Sequence, residues 1–241
     1  MRKRWSIYID IEGFSKIYKK DSVQALSTLC QLADDLYRIG SRIFPDLTEE
    51  RLFVHQIGDG FIIVSDFPEQ NLGRPISIAI ALMQSTLFKG GIARAAISDG
   101  YFEDILSCYS KEIRDDFEKY DVLKIGNGLM TIFPVMGDAL INSHKVAKKA
   151  AEGPCLFVDA KLKKYLPKEE IVILGKDNNI IEINWIQSKP PLLGNILKNI
   201  VSEVPLVKNL EEAIHNYISK YPKDLSEEWV ENALNLCSSR Y

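Results

Sequence analysis

Residues 51–66, RLFVHQIGDGFIIVSD, hold two runs of β-branched and aromatic residues around Gly58-Asp59-Gly60. An Asp-Gly between such runs is the strongest short-range signal for a β-hairpin, because its residues tolerate the tight turn that matches the strands' twist. Upstream, Trp5–Asp10 (WSIYID) reads as a strand. From Ser15 to Ile39 the apolar residues Ile17, Val23, Leu26, Leu29, Leu32, Ala33 and Leu36 recur at threes and fours. That is the period of one long amphipathic helix, with Gly40 placed to end it. Downstream, Pro75–Phe88 suits a helix opening at its proline, Gly90-Gly91 breaks it, and Ile92–Ser98 reads as a buried strand.

Beyond that point the charged stretch Tyr109–Tyr120 reads as a solvated helix or a loop insertion, and Thr131–Val135 as a short strand. Gly137-Asp138 opens a helix running to Ala151, Leu156–Val158 is a strand, and Ile171–Leu174 with Ile180–Trp185 make a second hairpin around Lys176-Asp177-Asn178-Asn179. After Ser188-Lys189-Pro190-Pro191 only helical, amphipathic patterns follow. The expected organisation is therefore a domain over 1–188 and a C-terminal helical extension over 189–241. The order β-α-β-β-α-β predicts an α/β (α+β) fold on a ferredoxin-like plan, with antiparallel strand pairs and helices on one side.

Composition narrows the function. With 241 residues, 46% apolar and 26% charged, the chain can bury a large core without disulfides. Thirty basic against 33 acidic residues give a net charge of −3, so no nucleic-acid partner is expected from bulk charge. No apolar run reaches membrane-spanning length, and after MRKR the stretch WSIYI meets Asp10 at once, leaving no signal-peptide core. No membrane association and a cytoplasmic location are the expectation. The four cysteines form no CxxC pair and are read as reduced, mostly buried thiols. With three scattered histidines, a bound metal should be a hard one held by carboxylates.

Two acids stand at telling places: Asp10 ends the first strand and Asp59 occupies the hairpin tip. In a ferredoxin-like core the first and third strands are central neighbours, so the end of one lies beside the turn before the other. Two carboxylates there suit Mg²⁺, which takes oxygen ligands and keeps some from substrate phosphates. Ile11-Glu12-Gly13-Phe14-Ser15 turns into a helix N-terminus, a place that favours a phosphate.

Taken together, YIDIEGFSKI, HQIGDGFII, ARAAISDG (Ala93–Gly100) and MGDALINSHKV (Met136–Val146) resemble, in order and spacing, the motifs of class III nucleotidyl cyclases. The resemblance covers about residues 5–160 and implies a class III cyclase core with two Mg²⁺ or Mn²⁺ ions per site. It implies Asp10 and Asp59 as metal ligands, with the Ile11 carbonyl, and Glu12, Gly13, Phe14, Ser15 and Arg94 as the triphosphate-binding set. His55 and Pro134 fall at the two base-reading positions and match neither purine set of the family. The transition-state asparagine and arginine positions fall at Ile141 and Lys145, with Asn142 one residue off. Keeping the metal pair while losing the purine code is similar to the divergent bacterial Pycsar-type branch, antiphage pyrimidine cyclases. The resemblance thus implies conversion of UTP, or CTP, to the 3′,5′-cyclic nucleotide and pyrophosphate, by a homodimer with active sites at its interface.

Plainer readings stand beside these. Asp10 also suits a helix cap and Asp59 a turn. Arg94 suits a strand-edge ion pair, His55 a half-buried strand histidine, and Lys145 a solvated lysine-rich face. Ile141 favours a catalytically inactive nucleotide-binding or dimerisation module, and a purine cyclase is the further alternative.

Overall fold

Alternation of large apolar residues makes the first strand, β1 (Arg2–Ile11), the middle of the sheet. Trp5, Ile7, Ile9 and Ile11 face one side and Arg4, Ser6, Tyr8 and Asp10 the other, all of them buried. The computed structural model describes residues 2–43, 52–65, 71–120, 123–149, 151–167, 171–176 and 179–238. Arg51 and Asp66 at the expected hairpin ends, Ala150, and Asp177-Asn178 of the second hairpin's turn lie outside the described residues.

β1 is flanked by β3 (Gly60–Ser65) and β4 (Ala93–Asp104), both antiparallel to it, and β2 (Leu52–Ile57) pairs with β3 from outside. The order β2-β3-β1-β4 is the ferredoxin-like arrangement, and the fold is α+β. The sheet extends beyond it: β8 (Leu156–Asp159) runs parallel to β4, followed by β10 (Ile180–Ile183) and β9 (Ile173–Lys176). β7 (Val135–Met136) pairs with the far end of β4, and β5 (Leu123–Ile125) with β6 (Gly128–Met130) forms a separate small hairpin.

The long helix expected over 15–39 is two helices, α1 (Phe14–Lys20) and α2 (Ser22–Arg38). The break is at Asp21, whose φ of −146° is non-helical and whose side chain accepts from the Gln24 amide at 2.9 Å, capping α2. Apolar period alone cannot reveal such a break, because both segments keep it. Helix α3 (Gly73–Phe88) is buried nearly all round, as its sequence ISIAIALM requires. Helix α4 (Lys111–Tyr120) is the solvated helix anticipated there. Of the strand expected over Thr131–Val135 only Val135 is in a strand, β7, whereas β4 runs on to Asp104.

Helices cover both faces of the sheet, not one. On the Ile7, Ile9 side, α2 and α3 pack with α6 (Leu193–Ile200), α7 (Val207–Lys220) and α8 (Glu227–Ser238) in one continuous apolar cluster. On the Tyr8 side α5 (Ala139–Lys149) packs through Ala139, Val146 and Ala147 against Ile62, Ala96 and Phe157. Small residues permit this: a Cβ on Gly100 would meet the Ala139 amide nitrogen at 2.4 Å. Gly137 adopts φ 138° with the Tyr101 carbonyl where its Cβ would be. Cys30 and Cys108 are exposed rather than buried, and no cysteine among the described residues is bridged. No helix among the described residues is long and apolar enough to cross a membrane.

Candidate active site at the end of the central strands

The β1–β4 register sets Asp10 directly across from Arg94 on one face of the sheet. Arg94 closes a fork on the carboxylate, Nε to Oδ1 at 3.0 Å and Nη2 to Oδ2 at 3.2 Å, and its Nε also stands 3.3 Å from a Glu12 oxygen. Tyr8, two residues back on the same face, donates its hydroxyl to Asp10 Oδ2 at 3.2 Å. On the other side of β1, Asp10 faces Gly60, where a Cβ would meet the Asp10 Cβ at 2.9 Å and the Tyr8 hydroxyl at 3.2 Å. Gly60 is therefore more than a turn residue, since its missing side chain is the space that Asp10 and Tyr8 occupy.

Asp59 stands one residue before Gly60 in the two-residue hairpin turn, so the register brings it beside Asp10. Burial raises its proton affinity, an opposing hydrogen bond from its own backbone notwithstanding, and the Asp10 charge adds to the rise. Burial also pushes Glu12 up to about 7, offset in part by Arg94 and reinforced by Asp10. Burial alone would lower Arg94, but the hydrogen bond and charge of Asp10, with Glu12, outweigh it and hold the guanidinium protonated.

Past Ile11, which is buried, Gly13 takes φ 72° and opens α1. The Glu12 amide donates to the Ile92 carbonyl at 3.0 Å, and those of Lys16 and Ile17 close onto Gly13 O. That leaves Phe14 and Ser15 as the first-turn amides without an intrahelical partner. The Phe14 ring packs partly on the core and stacks with Tyr18.

His55 meets Phe133, the residue before Pro134. The His55 ring stacks on Phe133 with centroids 4.1 Å apart and planes 14° apart, and Pro134 follows in the chain, its carbonyl accepting from Ile105 at 2.8 Å. His55 pairs with Ile62, which puts it on the Asp10 face, and burial lowers its pKa. On α5, the Asn142 amide donates to the Asp99 carbonyl of β4 at 2.8 Å. Ile141 and Lys145, one helical turn apart, are both exposed and turned away from the sheet below them. His144, between them, lays its ring on Tyr8 at 4.8 Å, and burial lowers its pKa.

Asp10 and Asp59 are adjacent oxygen donors whose like charges raise the proton affinity of one of them, which a hard dication would relieve. Among the described residues no group of three or more His, Cys, Asp or Glu side chains gathers to hold a metal. A dication would thus need a backbone carbonyl and substrate oxygens besides the two acids, and Arg94 would have to leave Asp10. Tyr8 and Phe133 are the residues that sequence reasoning passed over, and Gly60 was read only as a turn residue. Tyr8 was legible in the alternation Tyr-Ile-Asp, which places it on the face of Asp10, whereas Phe133 has no such signal.

No family model matches the chain. No curated protein matches it. Among solved structures it is similar to a bacterial light-regulated adenylyl cyclase, at 13% identity over 86% of this chain and 56% of that one, with a TM-score of 0.48. This chain thus spans a little over half the length of that structure.

Proposed function

We propose that this chain is a nucleotidyl cyclase that converts a pyrimidine nucleoside triphosphate to its 3′,5′-cyclic nucleotide and pyrophosphate. The observation that carries this is the register of β1 with β3, which sets Asp10 and Asp59 side by side at the end of the two central strands. Asp10, Asp59 and the Ile11 carbonyl would hold Mg²⁺ or Mn²⁺, which when bound supplies activation of the ribose 3′-hydroxyl and neutralisation of the leaving pyrophosphate. Arg94, released from Asp10, would take the triphosphate with the free amides of the Gly13–Ser15 turn, while Tyr8 keeps one Asp10 oxygen oriented. Lys145 would offset the charge that builds on the oxygens of the α-phosphoryl group, and Asn142 would support it only by giving up Asp99.

The exposed Ile141–Lys145 face supports a homodimer in which α5 of one subunit serves the site of the other. The base position supports a pyrimidine: Pro134 offers no side-chain hydrogen bond, and the Phe133 ring already covers one face of His55. A purine edge would lose a partner there, at a cost of about 1–3 kcal/mol. A neutral His55 can donate to the O2 of uracil or cytosine, with UTP favoured slightly by its acceptor-rich edge. A role in antiphage signalling is the setting that the motif resemblance suggests.

Purified protein with Mn²⁺ and each of the four triphosphates tests the reading. Cyclic UMP or CMP is the expected product, dominant cyclic AMP or GMP defeats the pyrimidine assignment, and no cyclic product from any triphosphate defeats the enzyme. The second reading, an inactive module, is favoured by the fork of Arg94 on both Asp10 oxygens. For the dimer, mixing Asp59→Ala with Lys145→Ala should restore part of the activity, because one mixed site is intact. No rescue after demonstrated subunit exchange would place each site within one chain.

A further inference from the structure

Against the Glu12–Gly13 turn a cavity of about 160 Å³, which Arg94 does not line, opens between α1 and the helices α7 and α8. A site of about that volume accommodates a single small ring. Three rings form its wall. Tyr217 stacks with Trp229 at 5.7 Å between centroids and meets Tyr221 at 4.8 Å with planes at 51°. Trp229 is 3% and Tyr217 9% exposed, so these two rings are packed into the core. The Tyr217 hydroxyl makes no hydrogen bond with any described residue, and burial raises its pKa, with Tyr221 and then the Glu12 and Asp224 charges adding to the rise.

The charges around the cavity are uneven. Glu12, Asp21, Glu152 and Asp224 border it against only Lys16 and Lys20. Both lysines are already turned to Asp224, Lys20 by an ion pair and Lys16 by a 3.4 Å bond to the backbone carbonyl. Glu152 accepts from the Ser226 hydroxyl at 2.7 Å and has no cation on it among the described residues. Glu12 must share Arg94 with Asp10. An anion would meet surplus carboxylate here, and a neutral ring would leave that charge unanswered.

We infer that this cavity binds a small organic cation, its charge set between Glu152 and Glu12 and its body against Tyr217, Tyr221 and Trp229. Ring faces attract a cation, and the attraction grows as the site sheds water. The cavity's small volume and its surplus of carboxylates do not suit a triphosphate, so an occupant is a second ligand.

Calorimetric titration of the full chain with benzylammonium, benzyl alcohol and benzoate, without metal or nucleotide, tests this apart from any cyclase activity. The expected result is saturable one-to-one binding of benzylammonium, at least about ten-fold tighter than benzyl alcohol, with no binding of benzoate. Glu152→Gln, at an exposed side chain, and Tyr221→Phe should both keep the wild-type melting curve. Glu152→Gln should weaken benzylammonium by about five-fold or more, while Tyr221→Phe, which keeps the ring, should change it little. Equal binding of the alcohol and the ammonium, binding untouched by Glu152→Gln, or no heat up to millimolar ligand would each overturn the inference.

Discussion

Asp10 is buried at the end of β1 with a guanidinium fork on one side and a hydroxyl on the other. Arg94→Gln would leave that carboxylate beside Glu12 and Asp59 without a countercharge. It should lower stability by about 1–3 kcal/mol, the cost of an unsatisfied buried group. Arg94→Lys keeps the charge but not the fork and should fall between, as urea denaturation of the three proteins would show. Gly60→Ala pushes a methyl into the Asp10 side chain at 2.9 Å and should cost about 1–3 kcal/mol as overpacking does. A loss of metal-dependent turnover alongside it would tie that glycine to the site and not merely to the turn. His55 gives a pH signature. Burial lowers its pKa, so the folded chain takes up its proton less readily than the unfolded chain. Its contribution is complete above the unfolded value near 6.5 and is lost as pH falls through the folded value. Going from about pH 7.5 to about pH 5.5 should therefore shift the stability difference in favour of His55→Gln over wild type. The His144 shift, present in both proteins, cancels in that comparison.

Among elements, the helices differ in what holds them in place. Helix α2 starts on the Asp21 cap, so Asp21→Ala should cost about 1 kcal/mol in denaturant unfolding and Asp21→Asn very little. A result with no loss would mean that packing of Ala25, Leu32 and Leu36 alone sets the helix start. Helix α5 has no side chain to spare where it meets β4, since Gly100 leaves its Cβ space to the Asp138–Ala139 peptide. Gly100→Ala should lift the helix, reach the upper end of the about 1–3 kcal/mol range for overpacking, and speed amide exchange through α5 more than through β3.

At the scale of the molecule, the helices after Pro190-Pro191 share the main core with the sheet. Trp229, Leu236 and Ile214 belong to the same apolar cluster as Ile7 and Ile80, and the Asn184 side chain reaches the Leu236 carbonyl at 3.0 Å. Helix α3, apolar all round, depends on that cover. A chain ending at Ser188 should therefore lose its cooperative melt, and Trp229→Ala should cost about 3–5 kcal/mol, as truncation of a buried aromatic does. A cooperative transition in the shortened chain would show instead that the first 188 residues fold alone.

The strand order around β1, the hairpin at Gly58-Asp59-Gly60 and the nearness of Asp10 to Asp59 were legible in the sequence. All three follow from local periodicity, turn chemistry and the short list of ways to connect β-α-β-β-α-β. The break at Asp21 is local too, a side-chain cap that apolar period does not register, whereas the helix on the second face of the sheet, the fork of Arg94 on Asp10 and the stacking of Phe133 on His55 were decided by tertiary structure. Each depends on which residue of another element fills a given space. No pattern along the chain encodes that, because it is set by strand register and close packing between segments far apart in sequence.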